Sequence, residues 1–278
     1  MRFLLNIQFF GRGTSKAGGG GAAGGVPIED FPEAFKDGKD FIASGEVEHE
    51  YSRRASASVD RQWKDFADEF GERPWLDEDV LYKEFDPSTR RVYGYIRTSN
   101  SGKINELLYD PKNDGKTDEE IFTRKDRSGR LRDLETVRAL DKNIESHSTP
   151  RDASYTRFCD ASTIKAAYGL TDSQFNMLMG AGGMSASQLS KLNKAFVGRS
   201  SFSKSYTSTS GNRSLNAFQK FTFERKINVP KGTKAFAARN NSQESEVIFG
   251  RGMKTKITGI TVRDDGHIVI HEMFDGYR

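Results

Sequence analysis

Gln243-Glu244-Ser245-Glu246-Val247-Ile248-Phe249-Gly250 puts two carboxylates, one residue apart, at the mouth of a short apolar run. Val247, Ile248 and Phe249 read as a strand. In an extended segment, side chains two apart lie on one face, so Glu244 and Glu246 are expected to point at a single reacting centre. The approach, Ala237-Ala238-Arg239-Asn240-Asn241-Ser242-Gln243, is rich in turn formers and reads as a loop.

Working outward, the chain is β-like on both sides of this stretch. Residues 256–262 and 268–274 read as strands joined by the tight turn Asp264-Asp265-Gly266. Phe221-Thr222-Phe223-Glu224-Arg225-Lys226-Ile227-Asn228-Val229 alternates as a half-buried strand does, and Pro230-Lys231-Gly232 turns the chain. Residues 189–196 have a helical pattern, and Tyr155-Thr156-Arg157-Phe158 reads as a short strand. Before it the pattern is helical. Leu134, Val137, Leu140 and Ile144 mark one helix, closed by Ser148-Thr149-Pro150, because proline disfavours a helical residue before it. Residues 112–132 are polar and read as a solvated helix or loop. Val59, Trp63, Phe66 and Phe70 recur at intervals of three and four, an amphipathic stripe that implies core packing, and Phe31, Phe35, Phe41 and Ile42 are scattered at roughly helical spacing. Helices first and strands after define an α+β chain.

Residues 17–25 are glycine and alanine apart from no other type, which cannot build a core and is entropically costly to order. Residues 1–27 are therefore expected to be a flexible arm, 28–80 a helical N-terminal region, and 81–278 the main domain.

Composition narrows the function classes. The 278 residues carry 43 basic and 39 acidic side chains, a net charge of +4 spread along the chain. A dedicated nucleic-acid binder would concentrate basic charge in a stripe, so no nucleic-acid partner is expected. One cysteine, Cys159, excludes an intramolecular disulfide and a cysteine-rich metal site. No segment has the length of a membrane span, and Asn6 and Gln8 interrupt the apolar opening, which argues against a signal peptide.

Several motifs fail on inspection. Gly102-Lys103 is not a phosphate-binding loop, because Arg97 stands where its first glycine belongs and Ile104 replaces the Ser/Thr. His271-Glu272 lacks the second histidine of a zinc motif. His267 and His271 would lie about 13 Å apart along a strand, as edge residues rather than ligands. No metal is expected.

What remains is an ordered triplet: Arg157, then Ser208-Thr209-Ser210, then Glu244-Ser245-Glu246, with spacings of 51 and 38 residues. Between them Ile227-Asn228-Val229-Pro230-Lys231-Gly232-Thr233 ends in Val-Pro-x-Gly-Thr, and Phe249-Gly250-Arg251-Gly252 follows the glutamates. Tyr93-Gly94-Tyr95 and Ile104-Asn105-Glu106-Leu107-Leu108 precede the arginine. This series resembles the mono-ADP-ribosyltransferases of the Arg-Ser-Glu class, in particular the enzymatic subunits of binary toxins, vegetative insecticidal toxins and their phage-borne relatives. Residues 6–13 resemble the openings of tailed-phage structural proteins.

The resemblance implies a helical part followed by a mixed, split β-sandwich. It also implies NAD as substrate, with no metal. By the same resemblance Glu246 would act on the ribose, where a carboxylate stabilises an oxocarbenium-like transition state. Ser208 would orient Glu246. Arg157 would hold the phosphates with its planar fork. Thr209, Ser210 and Phe218 would complete the NAD site, with Arg213 or Lys220 adding phosphate contacts. Glu244, where relatives with other acceptors carry Gln, implies arginine on a target host protein as acceptor. Place of action would be a host cytoplasm or a virion. A different class remains open: a phage head-associated structural protein carrying an auxiliary or inactive transferase fold.

Overall fold

A computed structural model describes residues 63, 65–70, 86–97, 100–211, 220–238 and 245–278. The arm expected at 1–27 and the aromatic scatter at 31–42 lie outside the described residues.

Among the described residues, 63 and 65–68 are helical, and α1 (Pro87–Arg97), α2 (Asn100–Tyr109), the single turn α3 (Asp118–Ile121) and α4 (Arg132–Ser146) follow. Then come β1 (Ala153–Cys159), α5 (Ala161–Ala167), α6 (Asp172–Met179), α7 (Ala186–Phe196) and seven strands. These are β2 (Ser200–Phe202), β3 (Thr207–Ser210), β4 (Phe223–Val229), β5 (Ala235–Ala237), β6 (Glu246–Phe249), β7 (Met253–Val262) and β8 (Ile268–Tyr277). The α+β expectation holds, with strands longer at both ends of the chain's β region than their apolar cores indicate.

The strands form one mixed sheet in the order β2-β7-β8-β4-β1-β3-β6-β5. Only β4 and β8 run parallel; the other neighbours are antiparallel. The eight strands are connected as one sheet, joined narrowly in the middle. β1 and β4 share seven registered pairs, whereas β1 and β3 share one, Thr156↔Ser210. The candidate site lies at this narrow seam.

Three apolar clusters hold the elements in place. Trp63, Phe66 and Phe70 pack on Tyr155, Ile227, Val247 and Phe249, as their spacing requires. The buried Trp63 indole N–H donates to the Ala238 carbonyl at 2.9 Å, which removes the cost of burying it. Helices α1, α2 and α4 pack on Tyr206, Phe236, Ala238 and Ile248. Helices α5, α6 and α7 pack on Phe223, Ile257, Ile260, Ile268 and Ile270. Val247 and Phe249 thus face one cluster and Ile248 another, so β6 is buried on both faces. Each such side chain stabilises the fold by about 1.5–3 kcal/mol. That fixes the register of β6, because a one-residue slip would exchange its two faces.

Helices α5 and α6 were not anticipated. Their start signals are nonetheless local. The Asp160 carboxylate accepts from the Thr163 N–H at 2.8 Å at the start of α5, and Thr171 with Gln174 forms a capping box at the start of α6.

Candidate active site

β6 begins at Glu246, and β3 lies beside it with Ser210 opposite Glu246 and Ser208 opposite Ile248. Alternation along a strand puts Ser208, Ser210 and Glu246 on one face and Thr209 with Val247 on the other. Ser208 Oγ donates to Glu246 Oε1 at 2.7 Å. Glu246 is 2% exposed, so this hydrogen bond matters to a carboxylate that burial would otherwise penalise. From β1, Arg157 Nη1 donates to the Ser208 carbonyl oxygen at 2.7 Å. The half-buried guanidinium forms no ion pair among the described residues, and its remaining N–H groups stay available for an anion. Three residues far apart in sequence are therefore joined by two consecutive hydrogen bonds across the seam of the sheet.

The main chain of the carboxylate is fixed from both sides. Ala238 N–H donates to the Glu246 carbonyl at 2.8 Å, and Gly211 N–H donates to the Ser245 carbonyl at 2.8 Å. Ser245 is fully buried with φ of 46°, the only non-glycine residue at positive φ among those described. A left-handed serine costs energy that the surrounding hydrogen bonds must offset, and such strain concentrates at functional sites. This geometry corrects one premise. The strand does not extend back through Ser245, so the alternation rule does not place Glu244 beside Glu246.

A small chamber opens over Glu246. It is lined by Arg157, Ser208 and Glu246 from the strands, by Tyr206 just before β3, and by Tyr95, Ile96, Ser101 and Asn105 from α1 and α2. Tyr95 O–H donates to Asn105 Oδ1 at 3.3 Å, and the Ser205 hydroxyl bonds the same oxygen. Burial raises the Tyr95 pKa, and the nearby Glu246 charge adds to it, so this phenol is a hydrogen-bond donor at any working pH. Sequence reasoning set Tyr95 and Asn105 in a helical pattern without giving them a role, and missed Tyr206. The usable signal was position: Tyr206 lies two residues before Ser208 and so on its side of the strand.

The other expected residues fall as follows. Thr209 is fully buried on the opposite face, and its hydroxyl donates to the Val247 carbonyl at 2.9 Å. Its role there is to join β3 to β6. Ser210 is fully buried across from Glu246. Glu244, Arg213 and Phe218 lie outside the described residues. Among the described residues no group of three His, Cys, Asp or Glu could hold a metal ion, and no helix is long and apolar enough to cross a membrane. His267 Nδ1 lies 2.7 Å from Asp265 Oδ1 in the turn before β8, whereas His271, 2.8 Å from Thr261 Oγ1 through Nε2, is not the edge residue expected: β8 is an interior strand, paired with β7 on one side and β4 on the other. Gly102-Lys103 is inside α2.

A larger cavity lies elsewhere. It has about 850 Å³ and lies beyond Tyr206, between α2–α4 and the ends of β2, β6 and β8. Size does not select the chemistry here; convergence of a buried carboxylate, an oriented hydroxyl and an unpaired guanidinium does.

The sequence model of a family described as ADP-ribosyltransferase exoenzyme matches residues 79–273, most of the chain. The protein belongs to that family. Comparison with curated protein sequences gives no match. Among solved structures, C3stau2 from S. aureus with NAD is 21% identical with a TM-score of 0.58, over 77% of this chain and 95% of that one. Plx2a, an ADP-ribosyltransferase toxin from Paenibacillus larvae, is 18% identical with a TM-score of 0.51, over 77% and 96%. BECa, an ADP-ribosylating toxin of a C. perfringens binary enterotoxin with NADH, is 20% identical with a TM-score of 0.53, over 79% of this chain and 48% of that one. At these identities the likeness is one of fold.

Proposed function

We propose that this protein transfers ADP-ribose from NAD to an arginine side chain of a target protein and releases nicotinamide. The observation that supports it best is the pair of hydrogen bonds linking Arg157, Ser208 and the buried Glu246. In the reaction the bond between ribose C1′ and the nicotinamide nitrogen breaks, and nicotinamide leaves with the electron pair. Glu246 stabilises the positive charge that grows on the ribose and accepts a hydrogen bond from a ribose hydroxyl. Ser208 keeps the carboxylate aimed by occupying Oε1. Arg157 holds the diphosphate, neutralising charge that the buried site would otherwise exclude. Tyr95 and Asn105 form the helical wall against which the nucleotide rests.

A guanidinium nitrogen then attacks C1′ and loses a proton. Glu244 is the base in this reading. It is assigned from its position two residues before Glu246 and from the resemblance to arginine-modifying enzymes. The phage-borne setting expected from residues 6–13 plays no part in the proposal.

The test is turnover by the purified protein with NAD and a small guanidine acceptor, following nicotinamide release and the ADP-ribosylated guanidine separately. Both products are expected. Glu244→Gln should lose the second and keep much of the first, because water needs no base here to trap so reactive an electrophile. Transfer by Glu244→Gln at the parent rate would overturn the arginine assignment. No nicotinamide from the parent would overturn the reaction.

A further inference from the structure

We infer that Tyr206, held by Asp141 and Arg251, is a positioning residue that sets the nucleotide-binding wall over Glu246; this role rests on the NAD reaction proposed above. Tyr206 is 4% exposed, and its O–H donates to Asp141 Oδ1 at 2.7 Å, with the Val137 carbonyl 3.2 Å away. Asp141 is in turn fixed by Arg251, whose Nε lies 3.3 Å from Oδ1 and whose Nη2 bonds Oδ2. The same guanidinium clamps Asp118 with two parallel bonds, Nη1 to Oδ1 at 2.7 Å and Nη2 to Oδ2 at 2.9 Å. It also lies 5.8 Å over the Tyr206 ring. The ring of Tyr206 then meets the ring of Tyr95 edge-on, 5.4 Å between centroids, and Tyr95 bonds Asn105.

The arrangement has a direction. Its charged end, Asp118–Arg251–Asp141, faces the 850 Å³ cavity. Its aromatic end, Tyr206–Tyr95, faces the chamber above Glu246. Arg251 follows β6, which carries Glu246, while Asp141 belongs to α4 and Tyr95 to α1. The chain of contacts therefore fixes the helical wall relative to the catalytic strand. Asp118, Asp141 and Arg251 do not line the chamber over Glu246. Their loss should weaken NAD binding and leave the chemical step intact. A residue serving packing alone would lower stability without changing KM.

The test is steady-state nicotinamide release by Tyr206→Phe, Arg251→Met and the double variant, with thermal melting beside it. Tyr206→Phe keeps the ring and deletes the anchor. We expect its KM for NAD to rise about three- to tenfold, the scale of one partly transmitted hydrogen bond to a charged group, with kcat within about twofold. Arg251→Met should do the same, and the double variant should be no worse than the poorer single, because both act through one ring. If Tyr206→Phe does not fold, Asp141→Asn tests the same anchor with its shape kept. A folded Tyr206→Phe or Asp141→Asn with unchanged KM overturns the role alone. So does a fall in kcat as large as the rise in KM. A parent that releases no nicotinamide overturns both the reaction and the role.

Discussion

Ser208 and Glu246 lie diagonally across β3 and β6, and the serine hydroxyl donates to Oε1 of the carboxylate at 2.7 Å. The serine fixes which carboxylate oxygen remains for the substrate. Ser208→Ala should therefore lower the rate of nicotinamide release about ten- to a hundredfold, while costing about 1 kcal/mol of stability. Rates and thermal melts of the purified variant measure both. An unchanged rate would show that Glu246 needs no such partner.

Arg157 is tethered to the Ser208 carbonyl through one nitrogen and keeps the rest of its fork. Arg157→Ala should weaken NAD binding by about 1.5–3 kcal/mol, and Arg157→Lys should recover only part of that, because an ammonium cannot bind two oxygens in one plane. Calorimetric titration with NAD decides it. Equal affinity in both variants would remove Arg157 from the site.

Arg225 and Glu272 form a buried ion pair on the same sheet, Nε to Oε2 at 2.7 Å and Nη2 to Oε1 at 3.0 Å, with Ser201 and Thr255 filling remaining positions. Burial is the largest single influence and would lower the Arg225 pKa, but the Glu272 charge and hydrogen bonds, with Tyr168 and Cys159, together outweigh it and the pKa is raised. Arg225→Met leaves the Glu272 carboxylate buried without its countercharge, held by the Ser201 and Thr255 hydroxyls, and should cost about 3–5 kcal/mol. Pairing it with Glu272→Leu should restore most of the loss. Denaturant melts of the three variants test this, and an additive double variant would contradict it.

Much of this was legible in the sequence. The Arg157, Ser208 and Glu246 series is readable because each residue is a chemical type that few alternatives can replace, and order survives where spacing alone would not. The strands around Val247 and Ile268 were legible because apolar runs have one use. Three things were less so. β3 is Thr207 to Ser210, in which the threonines suit a strand but the serines are turn formers and no apolar residue marks a face, so its pairing with β1 and β6 is not readable from pattern. Ser245 breaks the strand by one residue at φ of 46°, which no local pattern encodes. Tyr206, Asp141 and Arg251 meet through contacts 65 and 110 residues apart, and periodicity cannot report such distances.

His271 gives a pH signature. Burial lowers its pKa, and Lys226 and Arg263 add to this while Glu224 opposes. Unfolded, it would titrate near about 6.5. The unfolded chain then binds the proton more readily, so this residue's contribution to stability is complete above that pH. It is lost as pH falls through the lower folded value. His271→Gln should flatten the decline in melting temperature below pH 6.5. A steeper decline in the variant would reverse the sign.

The most direct measurement is nicotinamide release from NAD alone by Glu246→Gln beside the parent. The variant keeps the shape of the side chain and can still accept from Ser208, but it carries no charge. The account predicts a rate lower by about a thousandfold or more with NAD affinity within a few-fold, because the charge acts on the transition state and little on the bound substrate. A variant that releases nicotinamide at the parent rate would contradict it.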